Sequence, residues 1–596
     1  MWSSYLGEVF ACLIRDGAVN NAETVGFVLA SFGRKHQRSL QMALKVSWGG
    51  NMEFAGRLRR KTFLLVWAGC LTCVFAAVSA EPQSSSDPVV REAIQTGVRL
   101  EQSRQWRDAI EHYKDAVKDW PENEHLQYGL RRAKFHFGID RRYSDLSFKD
   151  ELLSLSTAEA FALFDSVLDQ VRDHYVDPIT TTWYVAHGTE SLWLSLANER
   201  FIEQNAFGAD QQKVQQMRDE LRDNYWNKRL RSRTEAHSMI REVADRAEQL
   251  VGLRSTTVIL EYAFGGCNGL DDYSNFLTPD RYRDLNNNID GEFVGIGIVM
   301  EADEGHGMSL VDVLPNSPAF ENGLRAGEHI VAVDGHDCRE MTTDEAAGLL
   351  TGLSGSFVKL EIQDMRTPEV RTVVCPRRAV KVDSIPIAEI IDDEQKIGYI
   401  RMTGFQKSSP DEMDAAMNRL AQQGMKSLIW DLRGNPGGLL SAAVHVCDRF
   451  ITEGRIVSTR GRNADQNLSY SANRIGTWDI PVTLIIDGHS ASASEIVAGA
   501  IRDHHRGKIV GRQSFGKWSV QTIYPSTWQT GLRLTTAKFY SPNGDNWTKI
   551  GIKPDIEVTL SEDAPEHRGS TDLDVEGDPD IQAALGVLRT PQYSRR

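Results

Sequence analysis

The chain has 596 residues, enough for several domains, and 41% of them are hydrophobic, an ordinary supply for globular cores. A formal net charge of −15, with no long basic stretch to offset it, argues against nucleic acid as a partner. The seven cysteines are scattered. Only Cys70 and Cys73 have C-x-x-C spacing, and they lie in an apolar leader. Cys338 and Cys375 share one segment, where isolated buried thiols are expected and a pairing in an oxidising compartment is the alternative.

In chain order, Arg57, Arg59, Arg60 and Lys61 precede an apolar run over 63–77, then Val78-Ser79-Ala80 before Glu81. That is the order of a secretory signal peptide. The run is shorter than the ~20 residues a spanning helix needs. Met52 reads as the start, with 1–51 an added extension. The expected location is therefore exported: periplasmic or associated with the cell envelope. A retained leader acting as an anchor is the alternative, and the only membrane contact expected. Gly69-Cys70 is lipoprotein-like, but Trp67 fits that pattern poorly.

After a linker, Ser84-Ser85-Ser86-Asp87-Pro88, residues 89–137 read as amphipathic helices. Gly97, Ala109, Tyr113, Ala116 and Pro121 fall at the offsets of a tetratricopeptide-like helical hairpin. One such unit buries its own face poorly, so it is expected to dock on the next segment of the chain, as a structural cap or a partner-binding element. Residues 150–290 read as a helical region. Phe161, Phe164, Val167, Leu168 and Val171 mark one helical face, and 200–250 is charged and expected to be solvent-exposed helix.

Residues 291–378 change character. Val294-Gly295-Ile296-Gly297-Ile298 alternates glycine with β-branched residues. Ile330 to Val333 is strand-like before an Asp334-Gly335 turn, and Thr343 to Leu350 reads as a helix. This segment resembles a PDZ domain. Such domains bind a chain end as an added strand, and the resemblance makes Val294 to Ile298 the binding loop and edge strand. Residues 379–590 alternate strand and helix: 397–402, 427–432, 482–486 and 508–510 as strands, with 411–423, 440–450 and 494–502 as helices. That alternation indicates layered α/β structure.

The chemistry concentrates in two loops. Ser492 lies in Ser490-Ala491-Ser492-Ala493-Ser494-Glu495, and Lys517, 25 positions later, in Phe515-Gly516-Lys517-Trp518. A serine hydroxyl is a poor nucleophile until a base takes its proton. A lysine serves as that base only where burial lowers its pKa. Phe515, Trp518 and Val520 are apolar, and no carboxylate lies within five positions of Lys517. Upstream, Asp431-Leu432-Arg433-Gly434-Asn435-Pro436-Gly437-Gly438 carries adjacent glycines that let a backbone approach a substrate.

In this order, these segments resemble the C-terminal processing, or tail-specific, peptidases: PDZ-containing proteases with a Ser-Lys dyad. Asp272-Tyr273-Ser274-Asn275-Phe276-Leu277 also fits their pattern. The resemblance spans roughly 150–590 and implies a multidomain α/β protein, with a core like those of crotonase and the Clp peptidase and an inserted PDZ domain. It implies Ser492 as nucleophile, Lys517 as general base and Gln521 as its orienting partner, one turn away if the stretch is helical. Ala493 with Gly437 or Gly438 would form the oxyanion hole, and Glu495 would support the site.

The implied function is a secreted serine endopeptidase cleaving unfolded or C-terminal segments of proteins. Its partners would be polypeptides held by their C-termini, with no metal and no cofactor. Two departures stand out. Trp518 follows the lysine where the family has glycine, either deepening its desolvation or crowding the substrate. His489 replaces glycine before Ser490 and opens a Ser-His alternative, although a loop histidine is expected; His504-His505 read as a polar connector. The rival reading is a catalytically silent PDZ and helical-repeat scaffold. A crotonase-like small-molecule enzyme is a third.

Overall fold

The computed structural model describes residues 88–560 and 573–590, apart from positions 304, 342, 353, 365 and 368. The expected leader, Met52, linker residues 84–87 and the tail beyond 590 lie outside the described residues. From Glu92 onward the chain forms one compact unit.

Helices Pro88–Gln102, Trp106–Asp119 and Glu124–Ser144 open the described chain. Small residues let them close on one ring: a Cβ at Gly97 would stand 2.2 Å from Tyr113 Cζ, and one at Gly129 2.5 Å. The Tyr113 hydroxyl donates to Glu101 Oε1 (2.7 Å), which also pairs with Arg132. The third helix exceeds the expected hairpin. Its Phe135, Ile139 and Tyr143 enter the core formed by Phe161, Phe164, Val167, Leu168 and Val171 of Thr157–His174, the helix capped by Ser156 and Glu159. A buried pin fixes this docking. Glu261 accepts from Arg142, Tyr143, Ser191 and Ser195 at 2.8–2.9 Å. The 200–250 region is less exposed than its charge suggested. Met217, Met239, Ile240, Val243 and Ala247 are buried, because the charges occupy one face of each helix only.

The α/β core is a six-stranded sheet. Its order is Ile387–Asp392, Ile397–Arg401, Ser427–Asp431, Val482–Ile486, Gly507–Gly511 and Ile556–Glu557, antiparallel in the first pair and parallel thereafter. Both faces are covered, so the strands are near-continuously apolar. Leu428, Trp430, Leu484, Ile486 and Ile509 pack with the helices Ser409–Gln422, Leu440–Cys447 and Ala493–Asp503. Ile429, Ile485 and Val510 face the helix Pro579–Arg589. A second sheet pairs Gly531–Tyr540 with Asn275–Leu277, Arg455–Gly461 and Ser519–Pro525.

The inserted β-rich unit is a six-stranded sheet: five strands run in the order Ile298–Asp303, Gly307–Val313, Glu328–Val333, Phe357–Asp364 and Val370–Pro376, and the short His336–Asp337 pairs with Glu328–Val333. It hangs on a two-stranded stem in which Glu292–Gly295 pairs with Arg378–Lys381. Asp334 (φ 48°) and Gly335 (φ 85°) make the expected tight turn between Glu328–Val333 and the short strand His336–Asp337. The expected edge strand is shifted. Val294 and Gly295 are paired within the stem, Ile296 and Gly297 form the turn, and the free edge starts at Ile298 and runs to Asp303. Gly297 (φ 81°) makes this turn, which separates two ladders the sequence pattern had joined. The described cysteines 267, 338, 375 and 447 are free and buried.

Arg433 anchors the C-terminal helix. It pairs with Asp431 (2.7 Å), Asp578 (2.8 Å) and Asp580 (2.9 Å), all buried, and Arg512 adds a second bond to Asp580. Arg433→Ala would leave three carboxylates buried without their shared cation. We expect a loss of about 3–5 kcal/mol, read as a lower chemical-denaturation midpoint; an unchanged midpoint would contradict the assignment.

Candidate active site

Ser427–Asp431 and Val482–Ile486 are neighbouring parallel strands, so the loops leaving their C-terminal ends must meet. The first loop is Leu432–Gly438 and the second ends at Ser492, just before the helix Ala493–Asp503. The three serines of the second loop divide their work. Ser490 Oγ donates to the Leu432 carbonyl (2.8 Å) and Ser494 Oγ to the Asn435 carbonyl (3.0 Å). The Ala491 N–H also reaches the Asn435 carbonyl (3.0 Å). Only Ser492 is turned toward open space. It lines a cleft of about 340 Å³ with Lys517, Gln521, Gly437, Gly438, Phe405, Leu439 and Arg533, under Leu285 and Ile289 of the helix Pro279–Asp290.

Ser492 has φ 57° and ψ −110°, a conformation rare for a residue with a Cβ and one that costs roughly 1–3 kcal/mol. Glu495 holds it. This fully buried carboxylate accepts from the Ser492 N–H (2.9 Å) and the Lys517 N–H (2.8 Å) through Oε2. Through Oε1 it accepts from Ser514 Oγ (2.6 Å) and the Gly516 N–H (2.8 Å). Burial pushes its pKa up, and the four donors, led by Ser514, pull it back. One side chain thus fixes the serine turn and the lysine loop together.

Lys517 is half-buried, and burial lowers its pKa below the ordinary lysine value. Arg533 lowers it further, against the charges of Glu495 and Asp271. The sequence around Lys517 is free of carboxylates, but the fold brings these two from elsewhere. Its Nζ lies 4.7 Å from the centroid of the Tyr273 ring. Among the described residues it makes no hydrogen bond to Ser492 Oγ.

The N–H groups near the serine are also distinguishable. A Cβ on Gly437 would stand 2.8 Å from Ala493 N and 2.8 Å from Ser492 Cβ, so the glycine loop abuts the serine directly. The Gly437 N–H, however, donates to Asn435 Oδ1 (2.9 Å). Among the described residues the Gly438 and Ala493 N–H groups make no hydrogen bond, and Gly438 takes φ 147°, a value that favours glycine.

Residues 396–558 match the profile of peptidase family S41, and residues 284–363 that of the PDZ domain. A carboxy-terminal-processing protease of Bartonella bacilliformis is 35% identical over 364 residues, covering 58% of this chain and 82% of its own. The chain belongs to this protease family. A carboxyl-terminal-processing protease of a Picosynechococcus species is 34% identical over 54% of this chain and 77% of its own. A solved structure titled photosystem II D1 C-terminal processing protease aligns at 24% identity with a TM-score of 0.35, over 67% of this chain and 93% of that one.

Three expectations about this family site change in the structure. Gln521 is on a strand, Ser519–Pro525, not a helix. It still lines the cleft, but its Nε2 donates to Ser519 Oγ (2.9 Å) and the Ser519 carbonyl, and among the described residues no hydrogen bond joins its amide oxygen to Lys517. Trp518 does not crowd the cleft. It points the opposite way, 1% exposed, against Phe539 and Trp547 at 4.6 Å, in space left by Gly499. Phe515 is 55% exposed and does not enclose the lysine. His489 is exposed on its loop and outside the cleft lining, and His504 contacts the Arg455 carbonyl (2.7 Å). Among the described residues no cluster of metal-ligating side chains occurs. Sequence reasoning gave no role to Tyr273 or Arg533. Tyr273 fell within a family motif, whereas Arg533 had no signal until the strands were paired.

Glu495→Gln keeps the shape but turns an amide donor toward backbone donors, costing about 1–3 kcal/mol. We expect faster hydrogen exchange over residues 514–520, read by mass spectrometry; unchanged exchange would contradict the clamp.

Proposed function

We propose that the chain is a serine endopeptidase with Ser492 as nucleophile and Lys517 as general base. The observation that carries this reading is the shared cleft: an outward-facing serine at a helix N-terminus and a half-buried lysine, both held by Glu495. Lys517 Nζ, uncharged, takes the Ser492 proton as Oγ attacks the scissile carbonyl. The oxygen that gains negative charge accepts from the Ala493 and Gly438 N–H groups, and the dipole of the helix Ala493–Asp503 favours that charge. The ammonium then protonates the leaving amine, and water, activated by the same base, hydrolyses the acyl ester. Lys517 must first swing from Tyr273 to Ser492. A lysine side chain has the rotatable bonds for this, and catalytic hydrogen bonds often tighten only with substrate bound.

Substrates are unfolded or C-terminal segments of proteins. The PDZ domain captures their ends along the edge strand Ile298–Asp303, beside the helix Thr343–Leu350. The basic-apolar-small order of the leader supports export to the periplasm or envelope. The silent-scaffold reading draws on the missing Lys517–Ser492 hydrogen bond.

Incubation with unfolded casein separates the readings. The wild type is expected to release peptides, and Ser492→Ala and Lys517→Ala to lose at least about 10³-fold in rate while melting normally. Retained cleavage in either variant would sink the dyad. An inert wild type would favour the scaffold.

The pH dependence carries a sign. Lys517 works only when neutral, so kcat/KM should rise with pH and level off above its pKa, which burial sets below the ordinary lysine value. A rate that falls over that range would contradict the base assignment.

A further inference from the structure

Among the described residues Arg533 is the one guanidinium lining the cleft. It sits on the central strand of a three-strand run, opposite Ile523 on one side and Asn275 on the other. Paired residues share a face of the sheet, and Ile523 also lines the cleft. Its Nε donates to the Tyr273 carbonyl (3.1 Å) and to Asn275 Oδ1 (3.2 Å), which fixes the plane of the group. Among the described residues its two terminal nitrogens make no hydrogen bond and no ion pair. Burial lowers its pKa, and the charge of Asp271 acts on it without forming a pair. Its charge in turn helps hold the neighbouring Lys517 below the ordinary lysine pKa.

A partly buried arginine without a carboxylate is costly. A planar fork held by Nε, with both terminal nitrogens free, matches a carboxylate in bidentate fashion. We infer that Arg533 forms a carboxylate-binding subsite inside the substrate cleft, separate from the PDZ groove, that takes the terminal carboxylate of a chain or the side chain of an Asp or Glu. This inference rests on the cleft being the substrate cleft.

The test uses full-length Ser492→Ala protein, so that binding is read without cleavage. Labelled unfolded peptides of one sequence are compared by fluorescence anisotropy as the C-terminal acid and the amide, and in a second pair with Glu or Gln placed near the end. A terminal-carboxylate subsite gives about tenfold tighter binding of the acid, lost when Arg533→Gln is added. A side-chain subsite gives the same pattern for Glu over Gln. Arg533→Lys keeps the charge but loses the fork; a reduced preference is expected, which covers the case of a Gln variant that does not fold. Preferences of wild-type size in Arg533→Gln or Arg533→Lys, or none in the parent protein, would overturn the subsite. Peptide turnover by the Ser492 protein separately judges the peptidase reading.

Discussion

A single buried carboxylate organises this site. Glu495 sits in the first turn of the helix Ala493–Asp503 and spends both oxygens on four donors from two loops. A carboxylate so enclosed is tolerable only because every acceptor position is used. Satisfying it forces the backbone of Ser492 to meet the backbone of Gly516 and Lys517. The unusual dihedral angles of Ser492 are the local cost of that meeting, and they turn its hydroxyl away from the two serines that tie the loop down.

The rest of the core arranges for those loops to be adjacent. Parallel neighbours Ser427–Asp431 and Val482–Ile486 send their connections out at the same edge. Asn435 then links the glycine loop to its surroundings in three ways: to the Met402 carbonyl, to the Gly437 N–H and, through its own carbonyl, to Ala491 and Ser494. Arg433, two residues earlier, ties the same loop to the C-terminal helix across the sheet. Trp518 is an anchor rather than an obstruction: its ring fills the core side of the lysine loop, so Lys517 faces the cleft.

Much of this was legible in the sequence, for physical reasons. Fully buried strands such as Ser427–Asp431 read as continuous apolar runs, and the Ser490-Ala491-Ser492-Ala493-Ser494 run preceded an obvious helix. What failed was whatever depends on pairing between distant segments. For Gln521 only its offset from Lys517 was visible, which places it beside the lysine on the condition of a helix; its strand partner, Gly531–Tyr540, decides otherwise. Arg533 is silent in sequence because its importance comes from what it lacks. The outward exposure of Phe515 and the inward turn of Trp518 likewise depend on which side of the chain meets the helix, and neighbouring residues cannot tell which.

The most direct test is the structure of a phosphonate adduct formed by a fluorophosphonate probe. The account predicts phosphorus on Ser492 Oγ, its oxygen accepting from the Ala493 and Gly438 N–H groups. Lys517 Nζ should have swung from the Tyr273 ring to within hydrogen-bonding distance of Oγ, with all four Glu495 bonds intact. An adduct elsewhere, or one on Ser492 with Lys517 still over Tyr273, would contradict it.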